Sequence, residues 1–181
     1  MVHNGAKGTD GNGATARVTL FDYRNAFDLI DHSILVNKLC RLNLPNYIIN
    51  WIIDFLSDRF QRVKLSEGCF SEWGPVPSGV PQGTKLGPWL SFNLINDLEI
   101  NNLNAQIWKY ANDTTTSEIV TKDSQSISQS IVNRVVQWSL ENRVQLKSEK
   151  CKELHNSFIK NAPEFDPIYI NGKELEIAQN V

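Results

Sequence analysis

The chain has 181 residues, 41% of them hydrophobic, enough to bury one substantial core and too few for two independent ones. Its 18 Lys and Arg stand against 20 Asp and Glu, a formal charge of −2, which excludes a protein that holds nucleic acid through a general positive field. Cys40, Cys69 and Cys151 are odd in number and widely spaced, which excludes a disulfide framework and a paired-cysteine zinc site. With no 18-residue apolar run and no secretory leader, the expected protein is intracellular, nuclear or cytoplasmic, not secreted and not membrane-spanning.

Residues 1–16 hold four glycines among small and polar side chains, and are expected to be a flexible N-terminal segment ahead of one domain over 17–181. Arg17 to Phe21 reads as a strand that delivers Asp22 to a sheet rim. Asp31 or Ser33 can then cap a helix whose Ile34, Leu35, Leu39 and Leu42 share a face. Pro45 opens a second helix, with Ile48, Trp51, Ile52, Phe55 and Leu56 in helical register and Ile49 and Ile53 widening the stripe. Phe60 to Leu65 alternates with period two and turns at Glu67-Gly68 into Cys69 to Trp73, a predicted hairpin. The Gly/Pro-rich stretch from Pro75 to Pro88 is a loop, and helical spacing resumes from Trp89. A second hairpin is expected around Ala111-Asn112-Asp113, followed by a long helix from Asp123 or Ser124 carrying Ile127, Ile131, Val135 and Trp138. Cys151 to Lys160 and Pro167 to Leu175, with a turn at Asn171-Gly172, supply the last strands.

The order of elements describes an α+β domain in which helices back an antiparallel sheet. Within it, Asp22, Asp28 and Asp31 crowd three carboxylates into ten residues just after an apolar strand. A carboxylate fixed at a strand end can bind a hard cation. The same residues also read as a strand terminus and a helix cap, which leaves open an α+β interaction domain whose acids are only caps and turns. Arg59, Arg62 and Lys64 on the predicted hairpin are candidate phosphate contacts, although cations so placed are more often a solvated edge that discourages strand pairing.

Four segments together resemble the palm region of a reverse transcriptase from non-LTR (LINE-type) retrotransposons. Phe21-Asp22-Tyr23-Arg24-Asn25-Ala26-Phe27-Asp28 is similar to the family's first catalytic motif, and Ser78-Gly79-Val80-Pro81-Gln82-Gly83-Thr84-Lys85-Leu86-Gly87-Pro88 to its second. Tyr110-Ala111-Asn112-Asp113 is similar to the third, and the stretch from Trp138 through Asn142 to Lys150-Cys151-Lys152 to the fourth. The resemblance implies a polymerase palm with a ferredoxin/RRM-like split sheet. It implies an RNA-directed DNA polymerase that adds dNTPs to a primer 3′-hydroxyl on an RNA template, with two Mg²⁺ or Mn²⁺ ions. By the same resemblance Asp22, the Tyr23 carbonyl, Asn112 and Asp113 hold the metal, and Asp22, Asp113 and Lys150 are catalytic, Lys150 as general acid to the pyrophosphate. Phe27 gates against the ribose 2′-hydroxyl, and Gln82 and Gly83 lie at the incoming nucleotide.

Two departures accompany the match. The family's third motif carries two adjacent aspartates where this chain has Asn112, and losing a unit charge about 4 Å from a cation costs on the order of 4 kcal/mol at an effective dielectric near 20. Even about 3 kcal/mol is roughly a hundredfold in rate, so polymerisation by this copy is expected to be impaired. The chain is also expected to lack complete fingers and thumb, as a partial copy of a longer parent protein. The competing expectation is a non-catalytic remnant that binds nucleic acid or a protein through the same sheet.

Overall fold

The computed structural model describes residues 14–24, 27–110, 113–121, 124–157 and 164–178. Residues 1–13 of the expected flexible segment, the candidate metal ligand Asn112 and the candidate helix start Asp123 lie outside the described residues. The chain divides into two units, one made of Met1–Arg24 with Asp97–Val181 and the other of Asn25–Asn96. Along the sequence, strand β1 (Ala14–Asp22) is followed by helices α1 (His32–Cys40) and α2 (Asn46–Leu56). Four short strands come next, β2 (Phe60–Gln61), β3 (Lys64–Ser66), β4 (Cys69–Phe70) and β5 (Gly74–Pro75), then helix α3 (Leu86–Ile95). The first unit resumes with β6 (Ala105–Tyr110), β7 (Asp113–Thr121), helix α4 (Ser128–Glu141), β8 (Lys152–Ser157), β9 (Tyr169–Ile170), β10 (Lys173–Glu174) and β11 (Glu176–Ile177).

The first unit is a five-stranded sheet in the order β11-β8-β1-β7-β6. It is antiparallel throughout except at its margin, where β11 pairs parallel with β8. Alternation along β1 divides it into two faces. Thr15, Arg17, Thr19 and Phe21 are buried, while Val18, Leu20 and Asp22 on the opposite face retain access to solvent. Helix α4 lies against β1 and β7 and buries Ile131, Val132, Val135 and Trp138, as its helical spacing predicts. Trp138 packs edge-on to Tyr23, with ring centroids 6.3 Å apart, and its Nε1 donates to Asp97 Oδ1 at 2.9 Å.

Among the described residues, the helix-facing side of the sheet buries Arg17, Glu118 and Glu153, and each of these charges has a partner. Arg17 donates from Nε to Glu153 Oε1, from Nη1 to Ser126 Oγ and from Nη2 to the Asp166 carbonyl, and its guanidinium stands 4.9 Å from the Phe165 ring centre. His155 Nε2 hydrogen-bonds Glu153 Oε1 at 2.5 Å. Burial pushes the Glu153 carboxyl up, but the hydrogen bonds from His155 and Arg17 outweigh it and hold the group below its ordinary value. Glu118 accepts from Ser126 Oγ at 2.8 Å, from the Ile127 backbone N–H at 2.8 Å and from Ser128 Oγ at 2.6 Å. That contact corrects the expected start of the long helix. A carboxylate from β7 satisfies the orphan N–H at the helix entrance, so α4 begins at Ser128 rather than at Asp123 or Ser124.

In the second unit Asp31 caps α1 through Oδ1, accepting from the N–H of Ser33 at 2.9 Å and of Ile34 at 3.2 Å. Leu35 and Leu39 are fully buried, whereas Leu42, expected on the same stripe, lies past the helix end and is exposed. Helix α2 buries Ile49, Ile52 and Leu56 and leaves Trp51 56% exposed, stacked on Phe55. Of the two residues expected to widen the stripe, Ile49 is buried and Ile53 is exposed. Where nearly every position is apolar, composition alone does not fix the phase of the stripe. Strands β3 and β4 form the predicted hairpin, and β2 pairs with β5 beyond it. Helix α3 starts three residues ahead of Trp89, because Thr84 Oγ1 accepts from the Gly87 N–H at 3.0 Å and Pro88 falls in the first turn, where its missing N–H costs nothing.

Candidate active site

In the first unit the site is built by register. Asp22 ends β1 and Asp113 begins β7, and the two are direct cross-strand partners at the last pair of that ladder. Directly opposed side chains share a face with Cβ atoms about 5 Å apart, and like charges so placed repel. Asp22 is about one-third exposed and Asp113 is exposed, so water softens the repulsion without removing it. Two carboxylates held together at a sheet end by the backbone itself are a local cost that a cation would reverse.

The surrounding backbone fastens Asp22. Its carbonyl accepts from the Lys147 N–H at 2.8 Å, Arg24 N–H donates to the Gln145 carbonyl at 2.7 Å, and Tyr23 bridges Leu146. The Lys147 carbonyl then accepts from the N–H of Lys150 and of Cys151, a tight turn that brings Lys150 Nζ to 3.8 Å from Asp22 Oδ2. Tyr23 turns its side chain to the opposite face, where it is 3% exposed, so only its backbone is available on the acidic side. Burial pushes its hydroxyl up to about 12, against an opposing contribution from Thr114, and neither hydroxyl makes a well-aligned hydrogen bond among the described residues. Burial likewise raises the Cys151 thiol, leaving it neutral and unreactive beside Asp22.

The donor set suits a hard divalent ion. Mg²⁺ takes one or two carboxylates and completes its shell with water and substrate phosphates, so it does not need an all-protein cage. Among the described residues no cluster of three or more His, Cys, Asp or Glu is placed to hold a metal, and Asp22 with Asp113 is the pair that fits.

Phe27, Gln82 and Gly83 belong to the second unit. There the Gly-rich loop is tied to the segment 27–30. Val80 N–H donates to the Phe27 carbonyl and Gly79 N–H to the Ile30 carbonyl, both at 2.8 Å, and Ser78 Oγ donates to the Asp28 carbonyl at 3.0 Å. Gly79 has φ +77°, and a Cβ there would lie 2.5 Å from the Asp28 carbonyl oxygen, so only glycine permits the approach. Gly83 also has a positive φ, but a Cβ there would meet nothing within 4 Å. Gln82 Nε2 donates to Asp28 Oδ1 at 2.9 Å.

Of the three hairpin cations, Arg59 is committed within its own unit. Its Nη2 donates to the carbonyls of Gly79 at 2.6 Å and Ser78 at 3.2 Å, and its Nε to Leu56. Arg62 lies over the rings of Phe70 at 4.0 Å and Trp73 at 4.8 Å, and Lys64 is exposed. Sequence reasoning gave no role to Asp28 or His32, whose Nε2 donates to the Gly79 carbonyl at 2.7 Å. Their partners lie about fifty residues away in sequence, beyond any local signal.

Comparison with known proteins follows the same lines. The family model described as reverse transcriptase (RNA-dependent DNA polymerase) matches residues 4–174. The chain is 28% identical over 165 residues to the RNA-directed DNA polymerase from mobile element jockey of Drosophila melanogaster, covering 84% of this chain and 17% of that protein. It is 34% identical over 83 residues to the retrovirus-related Pol polyprotein from type-1 retrotransposable element R2 of Popillia japonica, covering 46% of this chain and 12% of that one. It thus spans less than a fifth of the length of these curated relatives. Among solved structures, telomerase from Candida tropicalis in complex with a fragment of telomeric RNA superposes with a TM-score of 0.63 over 96% of this chain and 30% of that one, at 14% identity. Telomerase from Candida albicans gives 0.57 over 89% of this chain and 29% of that chain, also at 14% identity. At such identity the likeness speaks to the fold, a polymerase palm type. No helix among the described residues is long and apolar enough to cross a membrane.

Proposed function

The chain belongs to the reverse transcriptase (RNA-dependent DNA polymerase) family, with relatives among non-LTR retrotransposon polymerases, and from that premise we propose that Asp22 and Asp113 are the carboxylates of its nucleotidyl-transfer site. The observation that carries this reading is their register, two acids opposed at the end of one ladder. Divalent ions bound there would lower the pKa of the primer 3′-hydroxyl and offset charge on the triphosphate and the departing pyrophosphate. The chain's own part is to hold Asp22 and Asp113 on one sheet edge, with the Tyr23 backbone beside them. Lys150, whose ammonium already stands 3.8 Å from Asp22, balances carboxylate charge before substrate binds and then serves as a proton donor to the pyrophosphate. Phe27 acts as the gate against a 2′-hydroxyl, and Gln82 and Gly83 receive the nucleotide. RNA template, DNA primer and dNTPs are the substrates of this reading.

Asn112, which precedes Asp113 in the sequence, carries a neutral carboxamide where the family has a carboxylate, and on this reading the copy is impaired for that reason. Asn112→Asp is expected to raise Mg²⁺-dependent primer extension on an RNA template about a hundredfold, the factor corresponding to about 3 kcal/mol. Equal extension by parent and revertant removes this account of position 112. Mn²⁺ binding followed by electron paramagnetic resonance tests the site without catalysis: Asp22→Asn and Asp113→Asn each weaken it, and undiminished binding in both refutes the carboxylate pair.

A further inference from the structure

One polar contact in the second unit that the polymerase reading leaves without a task is the one between Asp28 and Gln82. We propose that Asp28 is a positioning residue that holds the Gln82 side chain with its carbonyl outward, so that a groove in this unit presents a hydrogen-bond acceptor to a donor group of the nucleotide. This rests on the polymerase reading and adds to it the polarity of one contact and the residue that sets it.

The chemistry of the pair leaves one arrangement. An ionised carboxylate accepts and cannot donate, so the Gln82 amide must turn its NH₂ toward Asp28 Oδ1, 2.9 Å away. The amide is planar, and Oε1 then lies on the edge away from Asp28. A glutamine with no such neighbour turns either way at little cost and offers donor and acceptor alike.

The platform beneath the pair is fixed. Asp28 is held at its carbonyl by Ser78 Oγ, and its neighbours Phe27 and Ile30 accept from the N–H groups of Val80 and Gly79. The Gly79 carbonyl is gripped by Arg59 and His32 together. Both Asp28 and Gln82 line a groove of about 700 Å³ shared with Arg59, Ser78 and Pro81, within the size range of small-ligand sites. Both side chains are exposed to solvent where they line this open groove.

A nucleotide has two kinds of donor that an amide carbonyl can meet, a sugar hydroxyl and a base amino group. Equilibrium dialysis of the full chain against dCTP, 2′,3′-dideoxy-CTP and dTTP in Mg²⁺ separates them. The parent is expected to bind the nucleotide carrying the donor on the order of fivefold more tightly, the worth of one hydrogen bond. Loss with the dideoxy compound identifies the hydroxyl, and loss with dTTP identifies the amine. Gln82→Ala brings the ratio to about one, and so does Asp28→Lys, whose ammonium can only donate and therefore draws the Gln82 carbonyl inward, with no further change in the double variant. Ser78→Ala removes the bond to the Asp28 carbonyl and keeps the carboxylate, so it retains the preference. A preference that survives Asp28→Lys, or that falls equally in Ser78→Ala, overturns the assignment. Measurable binding without any preference in the parent also overturns it and leaves the polymerase reading standing. No binding of any nucleotide overturns both.

Discussion

The two units hold their candidate residues by different physics. In the sheet unit Asp22 and Asp113 are placed by backbone register, and the sheet beneath them is braced by the buried Arg17–Glu153 pair and the Glu118 cap on α4. In the helical unit Gln82 is placed by a loop that depends on one glycine, Gly79, and on side chains reaching one carbonyl. Register is insensitive to what the site residues are, because the ladder bonds are main chain. A clamp is sensitive to each member. Substitutions at the acids should therefore change chemistry without harming the fold, while substitutions under the loop should change both.

The largest effect is expected in the brace. Arg17 and Glu153 are 4% and 1% exposed, and removing one partner of so deeply buried a pair costs about 3–5 kcal/mol because the other is left uncompensated. Arg17→Met and Glu153→Gln should each lower stability by that order in urea denaturation, and a loss under about 1 kcal/mol would mean that the sheet does not rely on the pair. The Glu153 carboxyl is held below its ordinary value, so its stabilising effect is complete above the unfolded glutamate pKa near 4.3 and is lost as pH falls through the lower folded value. Parent stability should fall in that acid window, and Glu153→Gln should flatten the fall. In the Asn112→Asp background, Asp22→Asn should cost at least about a hundredfold in primer extension while leaving the melting temperature unchanged or slightly raised, since it relieves a like-charge pair. A lowered melting temperature there would show that Asp22 braces the sheet as well, and would blur the contrast between the units.

Much of this contrast was legible in the sequence, and the illegible part has a common cause. The strand over Arg17 to Phe21, the turn at Asn171-Gly172 with φ values of 53° and 76°, and the acids at two strand ends all follow from residues near one another in the chain. Glu118 capping a helix ten residues on, Asp28 taking the Gln82 amide, and Arg59 holding Gly79 are contacts between elements that only folding brings together. The phase of α2 failed for a second reason, because its apolar residues nearly encircle it and only packing chooses Ile49, Ile52 and Leu56. Arg59 shows the cost of reading charge alone. Three cations near a hairpin offered a phosphate surface or a solvated edge, and charge gave no sign that the first of them also donates to main-chain carbonyls of the loop.

The smallest expected effect makes the sharpest comparison, because it sets one glycine of the loop against another. Gly79 and Gly83 both have φ +77°, so alanine at either carries the same left-handed penalty of about 1–2 kcal/mol. They differ in what a methyl group would meet. At Gly79 it would stand 2.5 Å from one main-chain oxygen and 2.6 Å from another, neither of which moves as a side-chain tip would, whereas at Gly83 it points into open space. Gly79→Ala should therefore cost more than Gly83→Ala by thermal or urea denaturation, and should loosen the 27–30 segment as well. Hydrogen exchange at the Val80 N–H, which donates to Phe27, reports that loosening directly: it should quicken in Gly79→Ala and hold steady in Gly83→Ala. Equal stability and equal exchange in the two variants would mean that the close approach at Gly79 is not what holds the loop, and that the grip of Arg59 and His32 on its carbonyl suffices.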